Sequence, residues 1–122
     1  MRKIIWLTTF FMIFAACSKK APALLDISSV NQVEQVDFSH ENNVLIDVRT
    51  PEEFSEGHIP NAININVSDE NFENEIKKLD PDKNYYIYCR SGKRSTDAAE
   101  KMEKEGLKKV VNLKDGYKNY QQ

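Results

Sequence analysis

Two stretches of the chain place a strand, a short loop and a helix start in succession, and this order constrains the fold most. Val44 to Val48 is apolar except at Asp47, which is typical of a strand buried on both faces. Thr50-Pro51-Glu52-Glu53 follows, combining an N-cap, a proline at the first helical position and a capping glutamate. Tyr85 to Cys89 is a second apolar run with a helical pattern after it. Such units predict parallel strands joined by helical crossovers.

The whole pattern predicts one α/β domain with a five-stranded, mostly parallel sheet and helices on both faces. With 122 residues, 40% of them hydrophobic, the chain has the size and composition of a single domain. Helices are predicted to begin near Ser29, Thr50, Ser68 and Ser95, with a final turn or short helix at Tyr117–Gln122. The strands are predicted around Asp26–Ser28 and at Val44–Val48, Ala62–Val67, Tyr85–Cys89 and Val110–Leu113.

The first sixteen residues have the organisation of a secretory signal. Arg2-Lys3 forms a charged head, Ile4 to Phe14 is almost wholly apolar, and Ala15-Ala16 are small residues before a cysteine. The uncharged segment that ends at Cys17 has fourteen residues, whereas a membrane-spanning helix needs about 20. We therefore predict a signal peptide over residues 1–16.

The end of this segment resembles the lipobox of bacterial lipoproteins, in which the cysteine becomes the lipidated first residue. It reads Phe-Ala-Ala-Cys, with Phe14 in place of the usual aliphatic residue. The resemblance implies lipid on Cys17, a tether over residues 17–25, and a domain over residues 26–122 on the periplasmic side of a bacterial membrane, inner or outer. Two or three acyl chains hold such an anchor firmly. A plain secretory peptide is the alternative.

Cys89 is predicted to be an unpaired thiol. The chain has two cysteines, and lipidation would consume the sulfur of Cys17. An unpaired thiol in an oxidising compartment is vulnerable to oxidation. This favours a cysteine with a chemical role over the alternative of a buried, inert one.

The charge balance argues against one class of partner and favours another. The 19 Asp and Glu residues outnumber the 17 Lys and Arg residues, two of which lie in the signal segment. This balance argues against binding of nucleic acid or a polybasic contact with a membrane. Against that background Arg90, Lys93 and Arg94 form a positive cluster directly after Cys89. The cluster predicts a small anionic ligand.

The loop from Cys89 to Ser95 can form an anion cradle. If Ser91 and Gly92 let the backbone curl, the amides of residues 90–95 can point inward, and the N-terminus of the following helix adds partial positive charge. Gly92 suits a curl in which one residue has positive φ. The sequence therefore predicts a thiol at the base of a ring of N–H donors.

Three segments of the chain resemble the rhodanese family of sulfurtransferases. They are CRSGKRS at residues 89–95, IDVRTPEEFSEGHIPNAINI at residues 46–65 and NLKDGYKNY at residues 112–120. They occur in the family's order and cover nearly all of the chain after the tether. The departures lie outside the cysteine loop: Asn61 replaces the usual glycine, Asn66 a frequent proline, Asp115 a glycine and Tyr120 a tryptophan.

The length of the cysteine loop favours sulfur over phosphate chemistry within this resemblance. Four residues separate Cys89 from Arg94, as in rhodaneses that move sulfur, whereas related cell-cycle and tyrosine phosphatases have five. Tyr88 stands where many phosphatases have histidine. A small phosphatase or arsenate reductase is therefore the weaker alternative. A non-catalytic module or persulfide carrier that binds a partner is another.

The resemblance implies ping-pong transfer of a sulfane sulfur through a persulfide on Cys89. The donor would be thiosulfate, polysulfide or a similar small anion, and the acceptor a thiol, a cyanide-like thiophile or a protein. We expect a monomer without a cofactor. The residues expected to bind the donor or the persulfide, or to brace the loop, are Arg90, Ser91, Gly92, Lys93, Arg94 and Ser95.

The remaining polar candidates have structural interpretations. Asp47 is expected to tie down neighbouring backbone or Arg49 rather than act as an acid, and Arg49 either braces the site or contacts substrate. His58 is expected to be structural, and His40 to be a solvated loop residue. No second histidine or cysteine stands at metal-ligand spacing, so no metal is predicted.

Overall fold

The computed structural model describes residues 32–121. The predicted signal peptide, the lipidation site Cys17, the tether and the predicted strand around Asp26–Ser28 lie outside the described residues. Within residues 32–121, no helix is long and apolar enough to cross a membrane. The elements are a 3₁₀-helix Val33–Gln35, β1 Asn43–Asp47, α1 Pro51–Glu56, β2 Ile63–Asn64, α2 Phe72–Lys77, β3 Asn84–Tyr88, α3 Lys93–Lys104, β4 Val110–Asn112 and α4 Gly116–Tyr120.

The four strands form one parallel sheet in the order β2-β1-β3-β4. Ile46 of β1 lies opposite Ile63 of β2 and Ile87 of β3, and Tyr86 of β3 lies opposite Val111 of β4. The predicted α/β fold with a parallel sheet is confirmed. The sheet has four strands over the described residues and not the predicted five, because the first predicted strand falls outside them.

Side chains alternate between two hydrophobic clusters on opposite faces of the sheet. Tyr85 and Ile87 of β3 belong to one cluster, together with residues of α2 and α3. Tyr86 and Tyr88 belong to the other, against which residues of the 3₁₀-helix and α4 pack. Cys89 continues the alternation into the first cluster, and this burial is what places its sulfur beneath the following loop.

Two helices begin at other residues than predicted. α2 begins four residues after Ser68, because Asp69 first closes a turn in which its carboxylate accepts the Asn71 amide at 2.7 Å. α3 begins two residues before Ser95, because left-handed Gly92 ends the loop and caps the helix there. α1 begins where predicted, with the Thr50 side chain as its cap.

The predicted helix from Ser29 is, within the described residues, a single 3₁₀ turn at Val33–Gln35. Gln32 and Gln35 form a reciprocal capping box, in which the Gln35 side chain accepts the Gln32 amide at 3.1 Å. Val36 then adopts an extended conformation, which stops the helix.

The predicted strand Ala62–Val67 is shorter than expected, since only Ile63–Asn64 pairs as a strand at the sheet edge. The Asn64 side-chain amide donates to the backbone carbonyls of Asp47 and Arg49 at 3.0 and 2.9 Å. These bonds add to backbone bonds that continue past β2, in which the Ile65 and Val67 amides donate to the Asp47 and Val48 carbonyls at 3.0 and 3.1 Å.

Candidate functional site

Cys89 follows β3 directly and lies beneath the loop that leads into α3. Its side chain is 1% exposed. The Gly92 backbone amide donates to Sγ at 3.0 Å, and Sγ lies 3.5 Å from the Ser95 hydroxyl oxygen. The sulfur thus meets polar groups from both the loop and the first turn of α3, at the carboxyl end of a central strand.

Burial raises the pKa of the Cys89 thiol, and hydrogen bonds lower it. The Ser95 hydroxyl and the backbone amides of Ser95, Ser91 and Gly92 together outweigh burial, so the pKa lies below its usual value. These donors act because N–H and O–H dipoles directed at the sulfur stabilise its charged form. Cys89 therefore has a larger thiolate fraction at neutral pH than an unperturbed cysteine.

The Ser95 hydroxyl has one hydrogen and two neighbours that can accept it. It donates to the Gly92 carbonyl at 3.0 Å, while a protonated Cys89 can donate to the Ser95 oxygen. An ionised sulfur only accepts, so the hydroxyl stabilises the thiolate by turning its hydrogen toward Sγ. The Gly92 carbonyl still accepts the Thr96 hydroxyl at 2.8 Å. The rotation therefore leaves that carbonyl paired.

Gly92 forms the left-handed corner of the cysteine loop, with φ of +95°. A Cβ at this position would lie 2.8 Å from the Lys114 carbonyl oxygen. Both the backbone conformation and the close approach therefore require glycine. The positive φ that the sequence predicted here is confirmed.

The first turn of α4 supports the cysteine loop from behind. The Tyr117 amide donates to the Cys89 carbonyl at 2.8 Å, and the Lys118 amide donates to the Arg90 carbonyl at 3.2 Å. Gly116 has φ of +64°, and a Cβ there would collide with the carbonyls of Cys89 and Arg90. The sequence did not lead us to predict this support. The feature that indicates it is the Gly116-Tyr117 pair in the last segment that resembles the family.

Arg94 forms an ion pair with Glu53 of α1. Its Nη1 and Nη2 lie 2.7 and 3.0 Å from the two carboxylate oxygens, and the two side chains are 32% and 31% exposed. The hydrogen bonds from Arg94 lower the pKa of Glu53 to about 2 despite partial burial. Sequence reasoning assigned Glu53 only to helix capping, because its partner lies 41 residues away.

The other loop side chains extend toward solvent. Arg90, Ser91 and Lys93 are exposed. Their side chains form no hydrogen bond or ion pair with any residue between 32 and 121. Arg90 and Lys93 are therefore the cations of the predicted positive cluster that stay available to a ligand.

Asp47 and Arg49 form a buried ion pair at the end of β1, 0% and 4% exposed. Arg49 Nη2 lies 2.7 Å from Asp47 Oδ2, and Asp47 also accepts the Arg49 backbone amide at 2.9 Å. The same Nη2 donates to the Gly57 carbonyl at 2.7 Å, and the guanidinium lies 4.2 Å from the Tyr117 ring centroid. Arg49 thus braces the residues after α1 against α4.

Neither histidine lies in an arrangement suited to catalysis. His58 stacks on Phe54 with ring centroids 3.7 Å apart, and its Nδ1 lies 2.9 Å from the Phe54 carbonyl. His40 is exposed, and its Nδ1 accepts the Asn42 amide at 3.2 Å. In the described part of the chain, no group of three His, Cys, Asp or Glu residues could hold a metal ion.

A parallel sheet with a cysteine at the end of a central strand, beneath a curled loop that caps a helix, defines a class of α/β domains. The chain belongs to the rhodanese-like domain family, whose model matches residues 20–122.

Individual relatives agree with this assignment. YrkF of Bacillus subtilis, named as a candidate sulfur carrier protein, is 35% identical over 103 residues, which are 84% of this chain and 54% of YrkF. This chain therefore spans about half the length of that relative. A protein of Allochromatium vinosum named as a sulfurtransferase is 32% identical over 92 residues, covering 71% of this chain and 84% of that protein.

A solved structure shows the same fold. The crystal structure of a rhodanese-related protein from Thermoplasma volcanium matches with a TM-score of 0.58 and 34% sequence identity. The match covers 65% of this chain and 76% of that one.

Proposed function

We propose that this protein is a sulfurtransferase that holds sulfane sulfur as a persulfide on Cys89. The principal support is the position of Sγ, 3.0 Å from the Gly92 amide and 3.5 Å from the Ser95 hydroxyl oxygen. Membership in the rhodanese-like family and the Allochromatium vinosum relative named as a sulfurtransferase favour the same chemistry.

The reaction has two displacement steps at sulfur. The Cys89 thiolate attacks the outer sulfur of thiosulfate; an S–S bond to Sγ forms, the S–S bond of thiosulfate breaks, and sulfite leaves with the electron pair. A thiolate acceptor then attacks the outer sulfur of the persulfide and takes it, and the electron pair of the broken bond restores the Cys89 thiolate. Polysulfide or a thiosulfonate reacts as donor, and cyanide or a protein thiol as acceptor, in the same way.

The cradle contributes more to the transfer step than to ionisation of the free thiol. A lowered pKa raises the thiolate fraction, but nucleophilicity falls with pKa along a slope of about 0.4 to 0.5, which removes part of the gain. The Gly92 amide faces Sγ, and the Ser95 hydroxyl needs only to turn its hydrogen away from the Gly92 carbonyl, so both can stabilise the charge that returns to Sγ when the acceptor takes the outer sulfur. Removing one donor should therefore slow transfer more than it reduces the thiolate fraction.

Intact-mass spectrometry of the full chain tests the proposal. Reduced protein is incubated with thiosulfate and then with cyanide or a thiol, and Cys89→Ser is treated in parallel. We expect a gain of one sulfur atom that requires Cys89 and is reversed by the acceptor. Folded, reduced protein that gains no sulfur from thiosulfate or polysulfide would contradict the proposal and make phosphate ester and arsenate turnover the next assays.

A persulfide carrier that does not turn over thiosulfate is the second candidate. The name of YrkF favours it, as does the 1% exposure of Cys89, which suits the protection of a bound sulfur. Continued production of thiocyanate from thiosulfate and cyanide identifies a catalyst. A single equivalent of transferred sulfur identifies a carrier.

We propose in addition that lipid on Cys17 holds the domain at the periplasmic side of a bacterial membrane. The support is the signal-like composition of residues 1–16 and the lipobox-like sequence that ends at Cys17. Incorporation of labelled palmitate into the protein in a bacterial host tests this. We expect labelling in the native sequence and none in Cys17→Ser; equal labelling of both would contradict the anchor.

A further inference from the structure

Four charged residues around the Cys89 site neutralise one another in two pairs. Asp47 and Arg49 form one buried pair, and Glu53 and Arg94 form the other. The groups that contact Sγ itself are uncharged, since they are a backbone amide and a serine hydroxyl. The sulfur is therefore stabilised by dipoles. A sulfur donor meets less positive charge at the loop than its three cations suggest, because one of them is neutralised.

Glu53 occupies the guanidinium of Arg94, which is the group of the loop best suited to bind an anion. A guanidinium binds an anion well when its two outer nitrogens present a fork, and both nitrogens of Arg94 are bound to the two oxygens of Glu53. Thr50 also holds this carboxylate, because its hydroxyl donates to Glu53 Oε1 at 3.2 Å. The fork of the Arg94 guanidinium is thus bound to α1 and not open to a ligand.

The cavity beside the cysteine loop is also lined by both negative and positive side chains. It has a volume of about 310 Å³ and is lined by the carboxylates of Glu53 and Glu56, by the cations Arg90 and Lys118, and by Arg49, which Asp47 neutralises. An anion that approaches along this side therefore meets carboxylates as well as cations. Each added negative charge on a donor therefore gains little and encounters repulsion.

We propose that Glu53 sets the charge selectivity of the Cys89 site: by neutralising Arg94, it makes the site favour singly charged sulfur donors, such as alkyl persulfides and thiosulfonates, over dianionic thiosulfate. The part of this proposal that names natural sulfur donors rests on the proposed sulfurtransferase function. The electrostatic part does not, because any reagent that reaches Sγ experiences the same charges.

Two alkylating reagents of the same reaction type isolate the electrostatic part. Iodoacetate and iodoacetamide both place a carbon on Sγ and release iodide, but iodoacetate carries one additional negative charge. The ratio of their rates at Cys89, read on the peptide that contains it in the full chain, cancels changes in thiolate fraction and loop access. We expect Glu53→Gln to raise the iodoacetate-to-iodoacetamide ratio on the order of fivefold.

Glu56→Gln is the matched control, because it removes the same charge from the same cavity wall while Arg94 stays paired. We expect it to change the ratio less than about twofold. Arg94→Gln leaves Glu53 unneutralised and should lower the ratio, and adding Glu53→Gln should return it to about the wild-type value, because neither member of the pair is then charged. Equal shifts in Glu53→Gln and Glu56→Gln, or no shift in Glu53→Gln, would overturn the proposal.

Persulfide formation from thiosulfate and from benzenethiosulfonate extends the test to sulfur donors. In Glu53→Gln the preference for benzenethiosulfonate over thiosulfate should fall by a factor similar to the change in the alkylation ratio. A wild-type protein that forms no persulfide from either donor rejects the sulfurtransferase function, while the alkylation ratio still decides the role of Glu53. A loss of rate that is equal for both donors would show a structural role alone and overturn the proposal.

Discussion

Two ion pairs lie side by side at the carboxyl edge of the sheet, and they differ in solvent access. Asp47 and Arg49 are almost fully buried, whereas Glu53 and Arg94 are each about one third exposed, at 31% and 32%. Removing one partner of a buried pair leaves an uncompensated charge, while water and salt replace a lost partner at the surface. The buried pair can therefore fix the architecture of the site, and the exposed pair can tune its charge.

Breaking the buried pair should have the largest effect. Asp47→Asn leaves the Arg49 guanidinium buried without its carboxylate, and we expect a loss of about 3 to 5 kcal/mol in the free energy of unfolding. Urea denaturation measures it. Glu75→Gln is the control, because its pair with Lys78 is exposed and should contribute about 0.5 kcal/mol or less. Equal losses in the two variants would remove the distinction between the pairs.

The support from α4 tests whether the cysteine loop is held by backbone as well as by ions. In Gly116→Ala the added Cβ meets the carbonyls of Cys89 and Arg90 at a residue with positive φ. We expect a loss of about 2 to 3 kcal/mol on urea denaturation and a marked loss of persulfide formation. Gly106→Ala is the control, because φ there is +91° but nothing lies within 4 Å of the added carbon. Intact persulfide formation in Gly116→Ala would show that the loop does not need this support.

Ser95→Ala separates the uncharged donors at the sulfur from the ion pairs around it. Removing the hydroxyl should raise the pKa of Cys89, because that hydroxyl lowers it. We expect iodoacetamide to react about threefold more slowly at pH 7, and transfer of the outer persulfide sulfur to cyanide to slow by a larger factor. The pH dependence of alkylation measures the first change and intact mass the second. Equal factors would mean that the hydroxyl acts only on ionisation.

Loss of the exposed Glu53–Arg94 pair at acidic pH should have the smallest effect on stability. The pKa of Glu53 is lowered from 4.5 to about 2, so the pair stabilises the fold above the higher value and loses this contribution as pH falls toward the lower one. Because the pair is partly exposed, we expect Glu53→Gln to cost about 1 kcal/mol or less near pH 7. The difference between the two proteins should shrink as the pH falls through this range. A difference that stays constant down to pH 2 would contradict the assignment, and urea midpoints at each pH measure it.

Local signals in the sequence determined much of the fold and the base of the candidate site. The apolar runs at β1 and β3, the capped start of α1 and the glycine at the corner of the cysteine loop all depend on residues within a few positions of one another. Backbone sterics, capping hydrogen bonds and side-chain alternation act over that range. They were sufficient to predict a parallel α/β sheet with a cysteine beneath a curled loop.

Only the tertiary structure decided how the charges of the site are paired and what supports its loop. Glu53 meets Arg94, and the first turn of α4 meets the carbonyls of Cys89 and Arg90, because parallel pairing brings the ends of β1, β3 and β4 to one edge. These contacts join residues tens of positions apart, and no local pattern specifies them. The sequence thus determined which cations follow the cysteine, whereas the packing of the sheet decided which of them stay available to a ligand.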